Sequence, residues 1–430
     1  MLRALADCNN FYASCERALN PALRGVPIVV LSNNDGCVIA RSAESKALGI
    51  PMGAPYFQVR RVCEAHGVKV FSSNFAAYGD FSARVMAVLQ EQARDLEVYS
   101  VDEAFLGFPD MPETDAALLG QRIKTAVWEQ TGIPISLGMG PTKVWCKLAN
   151  EYAKNHPHTG GVFVVPYTEA ARLEFLKHVA VEDLWGVGEG LGARLRSHGM
   201  VLASDLATAD PSYVRKFAGV VGERLALEIR GISCYEVDEK PVTRQSILVS
   251  RSFGRPVQDL TDLTEAIATH AMRAAEKLRE DHLMAKAIVV MLRTNRHRQD
   301  QAQYRADEVE VLETYTDDAR LLCAAATRAL ERIYRPGFIY KKAGVYLSDI
   351  QTAHTVQPTL PGLGTTPEGT RPGLMKVVDR LNEMLGPDTI RLASTGFERS
   401  WKGQSAQPSK ATLPWAKPAA GPKSRLRFHE

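Results

Sequence analysis

The chain has 430 residues, which at roughly 150 residues per domain suggests about three folded units. Apolar residues make up 45% and charged residues 23%, and the net charge is 52 − 49 = +3. That is the composition of a soluble globular protein. It excludes a collagen, a disulfide-stapled miniprotein and a wholly disordered chain, and it means that any surface for a polyanion must be local.

Residues 1 to 165 alternate strand-like and helix-like stretches. Leu2 to Ala6 is a short apolar run that ends at Asp7. Val26 to Leu31 and Cys37 to Ala40 flank Asn33-Asn34-Asp35-Gly36, a hairpin signal. Arg41 to Leu48 reads as a helix stopped by Gly49. Asp80 to Ala93 is helical, Glu97 to Phe108 reads as strands, Gln121 to Glu129 is helical, and Ile133 to Met139 is a strand. Pro141-Thr142 opens a helix running to about Asn155. Residues 166 to 240 read as all helical with glycine-rich turns. Residues 241 to 350 give a βαββαβ order, which predicts a small sheet with two helices on one face. Residues 353 to 372, with four prolines among glycines and threonines, have a linker composition. Leu374 to Leu385 predicts one short helix. From Lys402 onward six lysines and arginines face the single Glu430, which predicts a basic, flexible tail.

The seven cysteines are scattered and no two have CxxC spacing, so neither a zinc site nor a redox pair is suggested. Asp7 interrupts the N-terminal run too early for a secretory signal, and no apolar run approaches the ~18 residues of a membrane span. The expectation is a cytoplasmic protein with no membrane partner.

The chemistry-bearing residues are acids. Asp7 stands where an apolar strand ends. Asp102 and Glu103 are adjacent within an aromatic, branched stretch, where two acids are costly unless compensated. In a regular strand they would point to opposite faces, so both can serve one site only if the chain turns there. Three carboxylates could hold two Mg²⁺ ions ~3.5–4 Å apart. On spacing alone, an exposed strand end for Asp102 and Glu103 and a helix cap for Asp7 are the favoured reading, because Asp-Glu pairs are common. On the helix after Pro141, Lys143, Lys147, Asn150 and Lys154 are spaced 4, 3 and 4 and share one face, either a solvated stripe or a phosphate-facing one.

DCNNFYASCE, SNNDGCVIARSAESKALG and YSVDEAF resemble the Y-family DNA polymerases, and within them the UmuC-like branch, the catalytic subunits of bacterial DNA polymerase V. So do SSNFAAYGDFSARVM, GPTKVWCKLAN, DLWGVG, SRSFGRPV, AMRAAEKLR and KKAGVYLSD, in order over about residues 1 to 350. The resemblance implies an α+β, right-hand polymerase. Its palm and fingers would span 1–165 (fingers about 20–77) and a helical thumb with a helix-hairpin-helix 166–240. A βαββαβ-like little-finger DNA-binding domain would follow at 241–350, then a linker at 351–372, a small C-terminal element at 373–401 and the tail at 402–430.

The implied activity is error-prone translesion synthesis in the SOS response to DNA damage. A primer 3′-hydroxyl would attack the α-phosphate of a dNTP with Asp7, Asp102 and Glu103 around two Mg²⁺ ions, the carbonyl of Cys8 being a further ligand. Asn10, Phe11 and Tyr12 would line the nucleotide site, with Tyr12 under the sugar where it would collide with a 2′-hydroxyl. Arg41, Lys46 and Lys154 would face the triphosphate. Ala43 departs from many members, which place a tyrosine near the phosphates. Gly186 and Gly188 would bring backbone amides to a DNA phosphate, and Lys147, Arg251, Arg255, Arg293, Arg296 and Arg298 would add cations. Gln357 and Leu360 retain part of a sliding-clamp peptide, without its aromatic residue. Beyond primer-template DNA and dNTP, the implied partners are a UmuD-like dimer, RecA and the clamp, in a nucleoid-associated location. A palm-type nucleotidyl cyclase and a non-catalytic DNA-binding accessory are the alternatives. The helix-hairpin-helix argues against the first and the three acids against the second.

Overall fold

A computed structural model describes residues 1–237, 244–353, 373–403 and 405–409. The chain divides into two compact units, one of residues 1–32, 36–241 and 407–430, the other of residues 33–35 and 242–406.

The first unit runs β1 (Leu2–Cys8), α1 (Phe11–Leu19), β2 (Ile28–Leu31), β3 (Val38–Arg41), α2 (Ala43–Ala47), α3 (Tyr56–Ala65), β4 (Lys69–Ser72), α4 (Phe75–Gln92), β5 (Asp95–Val98), β6 (Glu103–Phe108), α5 (Glu113–Thr131), β7 (Ile135–Gly140), α6 (Lys143–Asn155) and β8 (Val162–Val164). The helices α7 (Glu169–Leu176), α8 (Glu189–Ser197), α9 (Ala203–Thr208) and α10 (Pro211–Ile229) follow. Its main sheet has the order β5-β6-β1-β7-β8. The central strand β1 is buried along its whole length, because both of its faces are covered. Ala4, Ala6 and Cys8 pack with Phe81, Val85 and Leu89 of α4 and with Ile123 and Val127 of α5. Leu5 packs on the other face, with Phe105 of β6 and Cys146 of α6. This two-sided burial is why β1, Arg3 and Asp7 apart, is apolar on both faces rather than alternating.

Helix α6 packs on that second face, and its first turn is tied to the end of α10. Its N-cap Thr142 accepts from the Trp145 amide and donates to the Glu228 carbonyl (2.9 Å), and the buried Trp145 indole donates to the Ile229 carbonyl (2.9 Å). Gly138 of β7 makes the approach possible: a Cβ there would lie 2.1 Å from the Asn150 amide nitrogen and 2.3 Å from the Cys146 carbonyl. A second sheet, β3-β2-β4, has its own small core of Val29, Leu31, Val38, Ile50 and Cys63. The predicted hairpin is the β2–β3 pair. The predicted helix from Arg41 is shorter than expected: Arg41 ends β3, and α2 starts at Ala43 behind the capping hydroxyl of Ser42, a residue type that stops a strand and starts a helix through one hydrogen bond.

The second unit contains β9 (Ile247–Val257), α11 (Leu260–Glu280), β10 (Leu283–Thr294), β11 (Arg305–Thr316), α12 (Ala319–Ile333), β12 (Tyr340–Thr352) and α13 (Leu374–Leu385). The βαββαβ order is the one expected. The sheet is antiparallel throughout, in the order β11-β10-β12-β9. Alanines at 266, 271, 274 and 275 of α11 and at 325, 326 and 329 of α12 are buried in its core. Met375 and Trp401 belong to the same core. Arg279 of α11 grips Asp379 of α13 through two bonds of 2.6 and 2.8 Å. The α+β class expected from the sequence is the one the chain adopts. No helix among the described residues is long and apolar enough to cross a membrane.

Candidate active site

The register of the main sheet gathers the acids. Asp7 of β1 lies directly opposite Glu103 of β6, just as Leu5 lies opposite Phe105, so both acids share the α6 face of the sheet. Asp102 is not inside a strand, as its aromatic surroundings suggested. It ends the tight turn between β5 and β6, where the amides of Tyr99 and Ser100 both donate to the Glu103 carbonyl (3.0 Å). The turn ties Asp102 to β1, because the Cys8 amide donates to the Asp102 carbonyl (2.8 Å). The Ser100 hydroxyl donates to the Asp102 carboxylate (2.7 Å). The chain thus turns over residues 99–102, and Glu103 starts β6 directly after Asp102.

Burial pushes the Asp7 carboxyl up to about 7 against the opposing pull of Lys154, and the neighbouring Glu103 carboxylate adds to the rise. Asp102 is also raised, first by burial, and the charge of Glu103 adds to it while the Ser100 hydrogen bond opposes it. The stripe on α6 answers these acids. Lys154 Nζ is 2.6 Å from Asp7, Lys147 Nζ is 2.7 Å from Glu103, and Lys143 Nζ is 2.5 Å from Glu97. Asn150 between them donates to the Ser136 carbonyl (2.9 Å). The stripe faces the acidic sheet rather than open solvent. Among the described residues no three Asp, Glu, His or Cys side chains stand together as a ready ligand shell, and two of the three acids here hold lysines. The donor set is all hard oxygen, and the Glu103 charge that helps to raise the Asp7 and Asp102 carboxyls is the kind of repulsion a divalent cation offsets.

The nucleotide-site candidates lie close by. Asn10 takes a left-handed conformation (φ 50°) at the start of α1, which asparagine tolerates. Phe11 behind it is buried, whereas Tyr12 is half-buried. The Tyr12 ring stacks on Tyr78 (4.5 Å, 17°) and meets Phe75 edge-on (5.9 Å). Lys46 is depressed by burial and then by the positive charges of Arg41 and Lys154, so the three expected phosphate cations feel one another. Arg41 also donates to the Ile50 carbonyl (2.7 Å).

Of the residues expected to hold DNA, Gly186 has φ +94°, which favours glycine, and Gly188 caps α8. A Cβ at either would meet nothing within 4 Å. Trp185, immediately before Gly186, donates to the Tyr99 hydroxyl (3.3 Å), and Lys147 Nζ sits 4.5 Å from the centre of the Tyr99 ring. Several arginines of the second unit are paired with acids. Arg293 is held bidentately by Asp307 (2.6 and 2.8 Å), Arg255 by Asp262 (3.0 Å), and Arg298 by Asp300 (2.7 Å), while Arg251 and Arg296 are on β9 and in the β10–β11 connection. Gln357 and Leu360 lie outside the described residues, as does most of the expected linker and tail. Sequence reasoning missed Ser100, Tyr99 and Tyr78. The first two have a local signal, being next to the acids; Tyr78 lies 66 positions from its partner and has none.

Residues 6 to 151 match the model of the impB/mucB/samB family, and residues 244 to 360 match the C-terminal domain of that family. The chain belongs to the impB/mucB/samB family. It is 40% identical to the protein SamB of Salmonella typhimurium, over 96% of this chain and 98% of that one, and 39% identical to the protein UmuC of the same species, over 93% and 94%. DNA polymerase IV 1 of Bacillus subtilis is 27% identical over 67% of this chain and 69% of its own. Among solved structures, a Dbh-based Y-family DNA polymerase chimera superposes with a TM-score of 0.64 at 20% identity, covering 82% of this chain and all of the other. An insertion ternary complex of Dbh DNA polymerase gives 0.52 over the same shares. The fold is the Y-family palm, fingers, thumb and little finger, and the impB/mucB/samB member is a translesion, DNA-directed DNA polymerase that uses divalent metal. Residues 372 to 412 match a domain of unknown function, DUF4113.

Proposed function

We propose that this polymerase joins a dNTP to a primer 3′-hydroxyl at Asp7, Asp102 and Glu103, with two Mg²⁺ ions as cofactor. The observation that carries the reading is the cross-strand pairing of Asp7 with Glu103, joined by Asp102 through the β5–β6 turn. These three carboxylates and the Cys8 carbonyl are the oxygens that would hold the ions. When bound, the ions would lower the pKa of the attacking hydroxyl and neutralise charge on the leaving pyrophosphate. The chain's own share is positioning and charge. Lys154, Lys46 and Arg41 bind the triphosphate, Asn10 and Phe11 shape the site, and Tyr12 excludes a 2′-hydroxyl. The backbone at Gly186 and Gly188 and the side chains of Lys147, Arg251, Arg255, Arg293, Arg296 and Arg298 hold DNA phosphates without reading bases. In this reading 1–165 is palm and fingers, 166–240 thumb and 241–350 little finger. The protein works in the cytoplasm at the nucleoid with a UmuD-like dimer, RecA and the sliding clamp, the last through Gln357 and Leu360.

The test is extension of a primer on a defined template by the purified chain. The incorporated base should follow the template, and chelation should stop the reaction. Because Asp7 keeps its proton until about pH 7, proton and metal compete below that pH. The Mg²⁺ concentration for half-maximal extension should therefore fall by about tenfold between pH 6 and pH 8. Cyclic or untemplated products, or extension indifferent to chelation, would overturn the proposal.

A further inference from the structure

The three-stranded sheet β3-β2-β4 has an open edge. Among the described strands β4 pairs only with β2, in parallel, so its other side is a strand edge of the kind that recruits an extended peptide. A peptide is there. The Ser72 amide donates to the Gln407 carbonyl (2.8 Å), and the Gln407 amide donates back to the Ser72 hydroxyl (3.0 Å). Pro408 has no N–H to continue the pairing. Ser409 then turns inward, and its hydroxyl donates to a Glu16 carboxylate oxygen (2.8 Å). A cavity of about 400 Å³ lies alongside, lined among others by Leu23, Tyr56, Val70, Phe71, Glu16 and Pro408.

Glu16 gives this contact its weight. It is 1% exposed, and among the described residues no cation pairs with it. Its other oxygen accepts from the Tyr78 hydroxyl (2.7 Å). Burial raises its pKa, while the two hydroxyls, Tyr78 and Ser409, pull it back. A buried carboxylate with two donors loses half of its satisfaction if one is removed, which is costly. Tyr78 is itself fully buried and stacks on Tyr12. Ser409, Glu16, Tyr78 and Tyr12 thus form one continuous line of contacts from the end of the DUF4113 region to the nucleotide-site aromatic ring.

We propose that the free edge of β4, with Glu16 at its floor, is a docking groove for the chain's own segment Gln407–Ser409, and that the docked segment holds Glu16 and Tyr78 in place behind Tyr12. The second half of this statement rests on Tyr12 being the sugar contact; the first half does not. The docked end of the DUF4113 region then acts as a positioning element for sugar selection, a role that neither its composition nor its family description carries.

The test uses the full chain with Ser409→Ala, and Ser409→Thr as the variant that restores a hydroxyl. Both changes are at one side chain outside helix and strand, and a circular dichroism spectrum of each variant checks the fold. Amide exchange at Ser72 reads docking directly. It should become about tenfold faster in Ser409→Ala, the scale of losing a hydrogen bond to a charged group, and return toward the parent rate in Ser409→Thr. Discrimination between deoxy- and ribonucleotides should weaken in Ser409→Ala and recover in Ser409→Thr. Unchanged Ser72 exchange would overturn the docking groove. Faster exchange with unchanged discrimination would overturn its link to Tyr12, provided that Tyr12→Ala itself alters discrimination. If Tyr12→Ala does not, the sugar-contact reading fails and the exchange result alone judges the groove.

Discussion

Asp102→Ala should lose templated extension by about a thousandfold or more, the several kcal/mol that charge stabilisation at a metal-assisted phosphoryl transfer supplies, while binding primer-template DNA as the parent does. DNA affinity comes from contacts to the phosphate backbone, and Asp102 is an acid. Its stability should not suffer. Asp102 is half-buried, partial burial and the Glu103 charge raise its pKa, and among the described residues only Ser100 donates a side-chain hydrogen bond to it. Removing it relieves a desolvated, repelling charge, so the melting temperature should hold or rise while activity disappears. That separation distinguishes an acid kept for chemistry from one kept for structure. Extension within tenfold of the parent would remove Asp102 from the site.

Tyr12→Ala should admit ribonucleotides, raising their relative incorporation by about 100-fold, the upper scale of purely steric discrimination. The ring that would collide with a 2′-hydroxyl is held in place by stacking on Tyr78 and by the edge of Phe75, so it cannot swing aside without losing both contacts. Tyr12→Phe keeps the ring and should keep the discrimination. Competition between dNTP and rNTP opposite one template base measures both. If Tyr12→Ala discriminates as the parent does, another group excludes the hydroxyl.

Much of this was legible from local rules. The β1 run ending at Asp7, the Thr142 cap that opens α6, and the βαββαβ order of the second unit follow from periodicity and punctuation. The 4, 3, 4 spacing on α6 fixed a shared face but not what that face meets. Only the close approach of Gly138 to α6, and the register that sets Asp7 against Glu103, turn it toward acids instead of water. The same is true of Asp102. Aromatic and branched neighbours read as strand, yet Ser100 and the Asp102 carbonyl form a turn, because hydrogen bonds to Cys8 and Glu103 outweigh propensity there. The lost strand residues are the turn that sets Asp102 apart from the regular alternation of β6. The contact of Gln407 with Ser72 had no signal at all. A single residue paired at an edge and stopped by a proline has no period to detect.

If positions 7, 102 and 103 form one site for divalent ions, the number of ions the chain binds depends on them. Bound Mn²⁺ can be counted by electron paramagnetic resonance, with primer-template and a non-hydrolysable dNTP present. The parent chain should hold two ions, and the chain carrying Asp7→Ala, Asp102→Ala and Glu103→Ala together no more than the one a triphosphate carries by itself. Equal stoichiometry in the two chains would contradict the claim.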